Sequence, residues 1–175
     1  NKSLKNIFLY SPNKSGKSHL VNIWKKNSNA ILYCHNLREI IDAKQNVAID
    51  DLFKNIIEED IFHIINHCKQ ENLKILITSN LSLNDYSFKL KDLKSRLKTF
   101  YHVSISNPDD EMIKIILTKL LLEKQFIIKN PEIFEFLVKR VERSYQSIYN
   151  LVDKLDKLSL EKKRQLTIPL IKEIL

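Results

Sequence analysis

Short apolar runs alternate with longer amphipathic segments over the first 105 residues of the chain. Apolar runs of this length, flanked by polar or turn-forming residues, predict strands buried inside a sheet. The predicted strands are Ile7–Tyr10, Ala30–Tyr33, Val47–Ile49 and Leu73–Thr78, followed by a weaker one at Tyr101–Ile105.

Helical spacing of apolar residues fills the intervals between these strands. The predicted helices are Lys17–Lys26, Arg38–Ala43, Ile56–Glu71 and Leu90–Leu97. Alternating strands and helices predict an α/β fold in which a parallel sheet is flanked by helices. Runs without polar interruption, such as Ile75–Ile77, suit strands that are buried on both faces.

Helical patterns alone continue after Ile105. Asn107-Pro108 and Asn130-Pro131 each combine an N-cap residue with a proline in the first helical turn. The predicted helices run from Asn107 to about Lys124, from Asn130 to about Val141, from Ser144 to about Leu158, and from Thr167 to Leu175. The sequence therefore predicts an α/β domain over residues 1–106 and a small all-helical domain over residues 107–175.

Composition narrows the functional classes. The chain has 175 residues, 43% of them apolar, and no apolar run long enough to span a membrane. Its two cysteines, Cys34 and Cys68, lack the spacing of a disulfide scaffold, which favours a reducing cytoplasm. The net charge of +8 is spread along the chain, so we expect at most a non-specific or indirect attraction to DNA.

The segment after the first predicted strand has the pattern of a phosphate-binding loop. Strand, loop, Gly-Lys-Ser and helix in this order allow backbone N–H groups and a helix N-terminus to hold phosphates. Lys17 is expected on the β- and γ-phosphates, and Ser18 on Mg²⁺. The nucleotide-binding candidates are Ser11, Pro12, Asn13, Lys14, Ser15, Gly16, Lys17, Ser18 and His19.

This loop is poor in glycine, since Gly16 is the only glycine of the chain. Serine occupies position 11, where the full pattern has glycine, and Lys14 stands where many such loops have another. Glycine adopts positive φ cheaply, so its replacement would strain the loop or narrow its entrance. A lysine-rich turn that matches the pattern by chance is the alternative interpretation.

Three further positions extend the pattern. Asp50 and Asp51 end an apolar strand, where Asp50 would hold Mg²⁺ and Asp51 would polarise water. Asn80 follows the next long strand and would orient the attacking water. Arg96 lies in a later helix and would act as an arginine finger on a neighbour's nucleotide. The alternatives are a helix cap for the acids, a turn at Asn80 and an ordinary basic helix around Arg96.

Together these elements resemble the AAA+ family, and more narrowly its DnaA-related branch of the Hda type. Gly16–Leu20, Ile49–Asp51, Leu76–Asn80, Leu93–Leu97 and the ending Arg164–Leu175 carry this resemblance, which covers essentially the whole chain. The resemblance implies that the protein binds adenine nucleotide (ADP or ATP) with Mg²⁺ and has a helical lid. It further implies that Arg96 is presented in trans to ATP-bound DnaA. It also implies association with the DNA-loaded sliding clamp, through a motif in a segment that this chain does not contain.

Two features depart from the family pattern, the glycine-poor loop and one position in the helical lid. The resemblance implies a sensor arginine on the phosphates from the third lid helix, where this chain has Gln146, with Arg143 nearby as a substitute. An amide lacks the charge-assisted contacts of arginine, so we expect intrinsic ATP hydrolysis to be weak or absent. The resulting hypothesis is a regulator of replication initiation that activates DnaA hydrolysis and is able to form homo-oligomers. A stand-alone P-loop ATPase or kinase, and a DNA-binding initiator or helicase loader, are the alternatives.

Overall fold

The computed structural model describes residues 6–128 and 130–174. The chain divides into two compact units, the first ending at Ile105 and the second beginning at Ser106. The first unit alternates strands and helices in the order β1 (Ile7–Tyr10), α1 (Lys17–Ser28), β2 (Ala30–Leu32), α2 (Leu37–Ala43), β3 (Asn46–Ile49), α3 (Glu58–Gln70), β4 (Ile75–Ser79), α4 (Lys91–Lys98) and β5 (Tyr101–Ser104). The predicted α/β class is confirmed.

The five strands form one sheet with the order β2-β3-β4-β1-β5. All neighbouring strands are parallel, with Tyr10 opposite Ser79 and Ile49 opposite Ile77. The carboxyl ends of β1, β4 and β3 therefore lie side by side at one edge of the sheet. That edge is where open α/β sheets bind ligands.

Alternate residues of the strands pack on opposite faces of the sheet, as strand geometry requires. On one face Phe8, Val47 and Ile75 pack with apolar residues of α2, α3 and α4. On the other face Leu9, Ala48 and Leu76 pack with Val21 and Trp24 of α1. Cover on both faces accounts for the apolar runs in β1, β3 and β4, whereas β5 is more polar and mostly exposed.

The second unit consists of α5 (Asp110–Glu123), α6 (Glu132–Val138), α7 (Tyr145–Lys162) and α8 (Ile168–Lys172). Buried leucine, isoleucine and valine side chains from all four helices form its core. In the part of the chain that the structure describes, no helix combines the length and the apolarity needed to cross a membrane.

The helix starts of this unit agree only in part with the predicted ones. Ser144 caps α7 and Thr167 caps α8, as expected. The predicted cap Asn107 is wrong, because Asp109 caps α5 by accepting a hydrogen bond from the Met112 N–H at 2.8 Å. Asp and Asn cap equally well, and Asp109 directly precedes the helical apolar pattern. The last helix ends at Lys172, before the predicted end at Leu175, a residue that itself lies outside the described part of the chain.

Candidate functional site

The loop between β1 and α1 uses its one glycine where the backbone requires it. Gly16 has a φ of 91° and forms the N-cap of α1, which begins at Lys17. Lys14 has a φ of 66°, also in the left-handed region, whereas Ser11 is not among the described residues with positive φ. The backbone at position 14 therefore adopts a conformation that favours glycine, whereas the backbone at position 11 does not.

Ser11 anchors the loop to the sheet. Its backbone N–H donates to the carbonyl of Ser79 at 3.0 Å, which extends the pairing of β1 with β4 by one residue. Its buried hydroxyl lies 2.5 Å from that of Ser15, across the base of the loop. A side chain at position 11 is thus accommodated by a hydrogen bond inside the loop.

Lys17 is buried beneath the same loop. Its Nζ donates to the carbonyls of Ser11 at 2.8 Å and of Pro12 at 2.9 Å. Burial lowers the pKa of the Lys17 ammonium, while the charges of Asp51 and Asp50 act in the opposite direction. The sheet therefore brings this lysine and both predicted acids into one electrostatic neighbourhood.

The two acids after β3 are linked through Thr78 of β4. The Thr78 hydroxyl donates to Asp50 Oδ1 at 2.6 Å and accepts from the backbone N–H of Asp51 at 2.9 Å. Thr78 itself is completely buried. One hydroxyl thus fixes the carboxylate of Asp50 and the chain direction after it.

Asp51 has two features of a functional position. Its backbone is left-handed, with a φ of 54°, which is uncommon for residues other than glycine. Its Oδ1 atom is buried and has no hydrogen-bond partner in the described part of the chain. A buried carboxylate oxygen without a partner is costly, and a water or cation at this edge would satisfy it.

The remaining candidates of this edge are exposed. Asn80 directly follows β4, the strand between those that lead to the loop and to the acids. Pro12, Asn13, Ser18 and His19 are exposed as well. The sheet therefore brings the predicted loop, acids and Asn80 to one edge, in the positions that their strand order dictates.

Arg96 lies at the opposite edge of the sheet. It belongs to the last turn of α4, and its guanidinium lies over the ring of Phe62, 4.6 Å from the ring centroid. The cavity that Arg96 lines is also lined by Asn6, Lys74 and Phe100, which come just before β1, β4 and β5. The amino edge, where these strands begin, therefore holds Arg96.

A buried carboxylate holds the helix that carries Arg96. Glu58, in the first turn of α3, accepts hydrogen bonds from the backbone N–H groups of Lys89 at 3.0 Å and Leu90 at 2.7 Å. Leu90 is the N-cap residue of α4, so Glu58 supplies the capping that Leu90 cannot. Glu58 and Phe62 stand four residues apart on α3, so both face α4 and contact it near its two ends.

The two candidates of the second unit engage neighbours within that unit. Arg143 donates from Nε at 3.0 Å and from Nη2 at 2.8 Å to Asp110 Oδ1. Gln146 donates from Nε2 to Asn150 Oδ1 at 2.8 Å, one helical turn further along α7. Arg143 precedes the Ser144 cap, and Gln146 lies in the first turn of α7.

Three residues that build these sites are not among the predicted site residues. Thr78 lies in a predicted strand, and an apolar strand that turns polar at its end is the signal that marks it. Glu58 is an acid in a helix rich in surface acids, and Phe62 belongs to an ordinary amphipathic pattern. For these two, only the packing of α3 against α4 reveals the role.

Comparison with known families adds independent information. The family model described as the lid domain of Hda matches residues 116–175. A protein of Haemophilus influenzae is 29% identical over 97% of this chain and 80% of its own length. The chromosomal replication initiator protein DnaA of Buchnera aphidicola is 26% identical over 99% of this chain, which spans 47% of that relative.

Solved structures show the same fold. Domain III of the replication initiation protein DnaA from Thermotoga maritima superposes with a TM-score of 0.78 at 18% identity, over 100% of this chain and 85% of that one. AMPPCP-bound DnaA from Aquifex aeolicus gives 0.66 at 22% identity, over 91% of this chain and 59% of that one. The lid match and the similarity to DnaA together support a replication-related regulator and a DnaA-related AAA+ protein of the Hda type.

Proposed function

We propose that this protein regulates the initiation of replication by docking on ATP-bound DnaA and supplying Arg96 in trans to its nucleotide. Arg96 would stabilise the negative charge that develops on the phosphates during hydrolysis. The protein would thereby convert DnaA to its ADP form, while its own hydrolysis of ATP remains weak or absent.

The observation that carries this proposal is the separation of Arg96 from the chain's own phosphate loop. The loop follows β1, whereas the cavity that Arg96 lines is bordered by Asn6, directly before β1. Four strand residues span roughly 13 Å at about 3.3 Å each. This separation supports a role for Arg96 at another molecule's nucleotide and not at the chain's own loop.

The packing of Arg96 supports a role outside the chain. Its guanidinium lies on the Phe62 ring, an arrangement that holds a cation without using its hydrogen-bond donors. Among the described residues, no carboxylate lies within ion-pair distance of it. The N–H donors of the guanidinium therefore remain available for phosphate oxygens.

We infer that the carboxyl edge holds ADP or ATP. Lys17 would move from the carbonyls of Ser11 and Pro12 to the phosphates, and the N-terminus of α1 would face them. Ser18 and Asp50 would hold Mg²⁺, which neutralises phosphate charge when bound. The buried Asp51 oxygen without a partner fits this interpretation.

The remaining elements complete the proposal. The first unit would serve as the nucleotide-binding domain and the second as the helical lid. The protein would also be recruited to the DNA-loaded sliding clamp. Association with further copies would follow from the same AAA+ surfaces, and the protein would act in the cytoplasm with DnaA.

The test measures hydrolysis of ATP pre-bound to DnaA, with clamp-loaded DNA present, while this protein is added. We expect Arg96→Ala to lower the stimulated rate about a thousandfold, because arginine fingers contribute factors of that order. Arg96→Lys would restore little, since lysine lacks the planar pair of donors. The matched control is Lys98→Ala, which removes a cation from the same helical turn. Full stimulation by Arg96→Ala would refute the proposal.

A further inference from the structure

A basic cavity of about 520 Å³ lies at the amino edge of the sheet, beside Arg96. Its walls come from the last turns of α3 and α4 and from the segments that precede β1, β4 and β5. Two lysines line it together with Arg96: Lys69 in the last turn of α3, and Lys74 just before β4. Asn72 and Thr99 add neutral hydrogen-bonding groups.

The charge of this cavity is uncompensated. None of its described lining residues is acidic, and Lys69, Lys74 and Arg96 form no ion pair within the described part of the chain. A second groove between α3 and α4 differs in this respect. There the lysines at positions 89 and 91 are offset by Glu59 and Asp92.

A concave surface with three cations and no acid attracts an anion of high charge. The triphosphate of a nucleotide bound to a partner protein is such an anion, and Arg96 alone supplies only one compensating charge. Lysine differs from arginine because its ammonium is a strongly hydrated point charge on a flexible stem. Lysine is therefore better suited to attracting a partner during association than to a fixed bidentate contact.

We propose that Lys69 and Lys74 form an electrostatic docking site for the phosphate-bearing edge of the partner that Arg96 engages. This inference rests on the proposed function, because it takes ATP-bound DnaA as the occupant. The two lysines guide association, whereas Arg96 acts on the docked complex. Charges at the rim of an interface mainly change association rates and their dependence on salt.

The two roles predict different kinetic defects. In a titration of this protein into ATP-bound DnaA, Lys69→Gln combined with Lys74→Gln should raise the half-saturating concentration about tenfold, within the range that electrostatic steering supplies. The stimulated rate at saturation should stay near that of the unchanged protein. Arg96→Ala should instead lose the rate at saturation.

The experiment repeats this titration at low and at physiological salt. The dependence of the half-saturating concentration on salt should be weaker in the double variant, and Lys69→Arg with Lys74→Arg should restore it. Lys91→Gln with Lys98→Gln is the control, since it removes two lysines of α4 that do not line this cavity. Glutamine retains most of the aliphatic stem, so local packing is preserved.

The outcomes separate the two proposals. If the double variant matches the unchanged protein in half-saturating concentration and salt dependence while Arg96→Ala is inactive, the docking site is refuted and the proposed function stands. The docking site is also refuted if the control pair causes an equal defect, because net charge alone would then explain it. Stimulation that survives Arg96→Ala refutes the proposed function and, with it, the docking site.

Discussion

The two edges of the sheet differ in where their charged groups find partners. At the carboxyl edge Lys17 donates to loop carbonyls, and Asp50 accepts from Thr78. At the amino edge Arg96 lies on an aromatic ring beside Lys69 and Lys74, without a carboxylate partner in the described chain. Charged groups at the carboxyl edge mostly have hydrogen-bond partners within the chain, whereas those at the amino edge remain available to another molecule.

The two edges are therefore expected to differ in what a substitution changes. Hydrogen bonds of buried groups at the carboxyl edge stabilise the fold, so changes there should affect both stability and ligand binding. Cations at the surface that form no ion pair contribute little to stability, so changes of Lys69, Lys74 and Arg96 should affect the partner reaction and leave the fold intact.

Lys17→Ala tests the carboxyl edge with the largest expected effect. We expect the affinity for ADP or ATP to fall about a hundredfold, the order of magnitude for loss of charge-assisted hydrogen bonds. Isothermal titration calorimetry of both proteins measures this difference. Lys26→Ala, an exposed lysine of the same helix, is the control. If even the unchanged protein binds no nucleotide, the loop is only a structural element and the proposed nucleotide site is wrong.

Sequence alone located the elements of this comparison because apolar runs and the phosphate-loop pattern are local signals. Strand β1 has the bounds that the sequence predicts, and the other strands agree within about two residues. The fold then follows from the rule that alternating strands and helices build parallel sheets. Gly16, Asp50 and Asn80 meet at one edge because they follow neighbouring strands.

Contacts between elements distant in the chain left no local signal. The bond from Thr78 to Asp50 joins residues 28 positions apart, and that from Leu90 to Glu58 joins residues 32 positions apart. No local pattern around Asp51 indicates its left-handed backbone either. Such features depend on strand order and helix packing, which only the assembled fold determines.

Thr78→Val tests how much the buried hydroxyl at the carboxyl edge contributes to stability. Removal of the buried hydroxyl leaves the Asp51 N–H and one side of the Asp50 carboxylate without a partner, which should cost about 2 kcal/mol of unfolding free energy. Urea denaturation followed by the fluorescence of Trp24, the only tryptophan, reports on this unit. Thr99→Val removes an exposed hydroxyl bonded to the Arg96 carbonyl and should change stability by less than about 0.5 kcal/mol. Equal losses in both variants would contradict a special role for Thr78.

Glu58→Gln tests whether the hydrogen bonds of Glu58 hold α4, the helix that carries Arg96. Glutamine offers one acceptor oxygen in place of two, so one of the N–H groups of Lys89 and Leu90 loses its partner. We expect a loss of about 1.5 kcal/mol in the same urea experiment, together with weaker stimulation of DnaA, because α4 carries Arg96. The neighbouring exposed acid gives the control Glu59→Gln, which should leave both quantities unchanged. A stable Glu58→Gln protein would show that α4 is held by its apolar contacts alone.

The smallest expected effect concerns Gly16, and two substitutions there separate its possible causes. A Cβ atom at this position would meet no atom within 4 Å, so crowding predicts no penalty for alanine. The φ of 91° predicts that alanine lowers the unfolding free energy by about 1 kcal/mol, because a side chain in the left-handed region clashes with its own backbone. Asparagine tolerates this region better than alanine although it is larger. Urea denaturation should therefore find Gly16→Asn more stable than Gly16→Ala. The reverse order would mean that space above the loop, and not backbone conformation, requires the glycine.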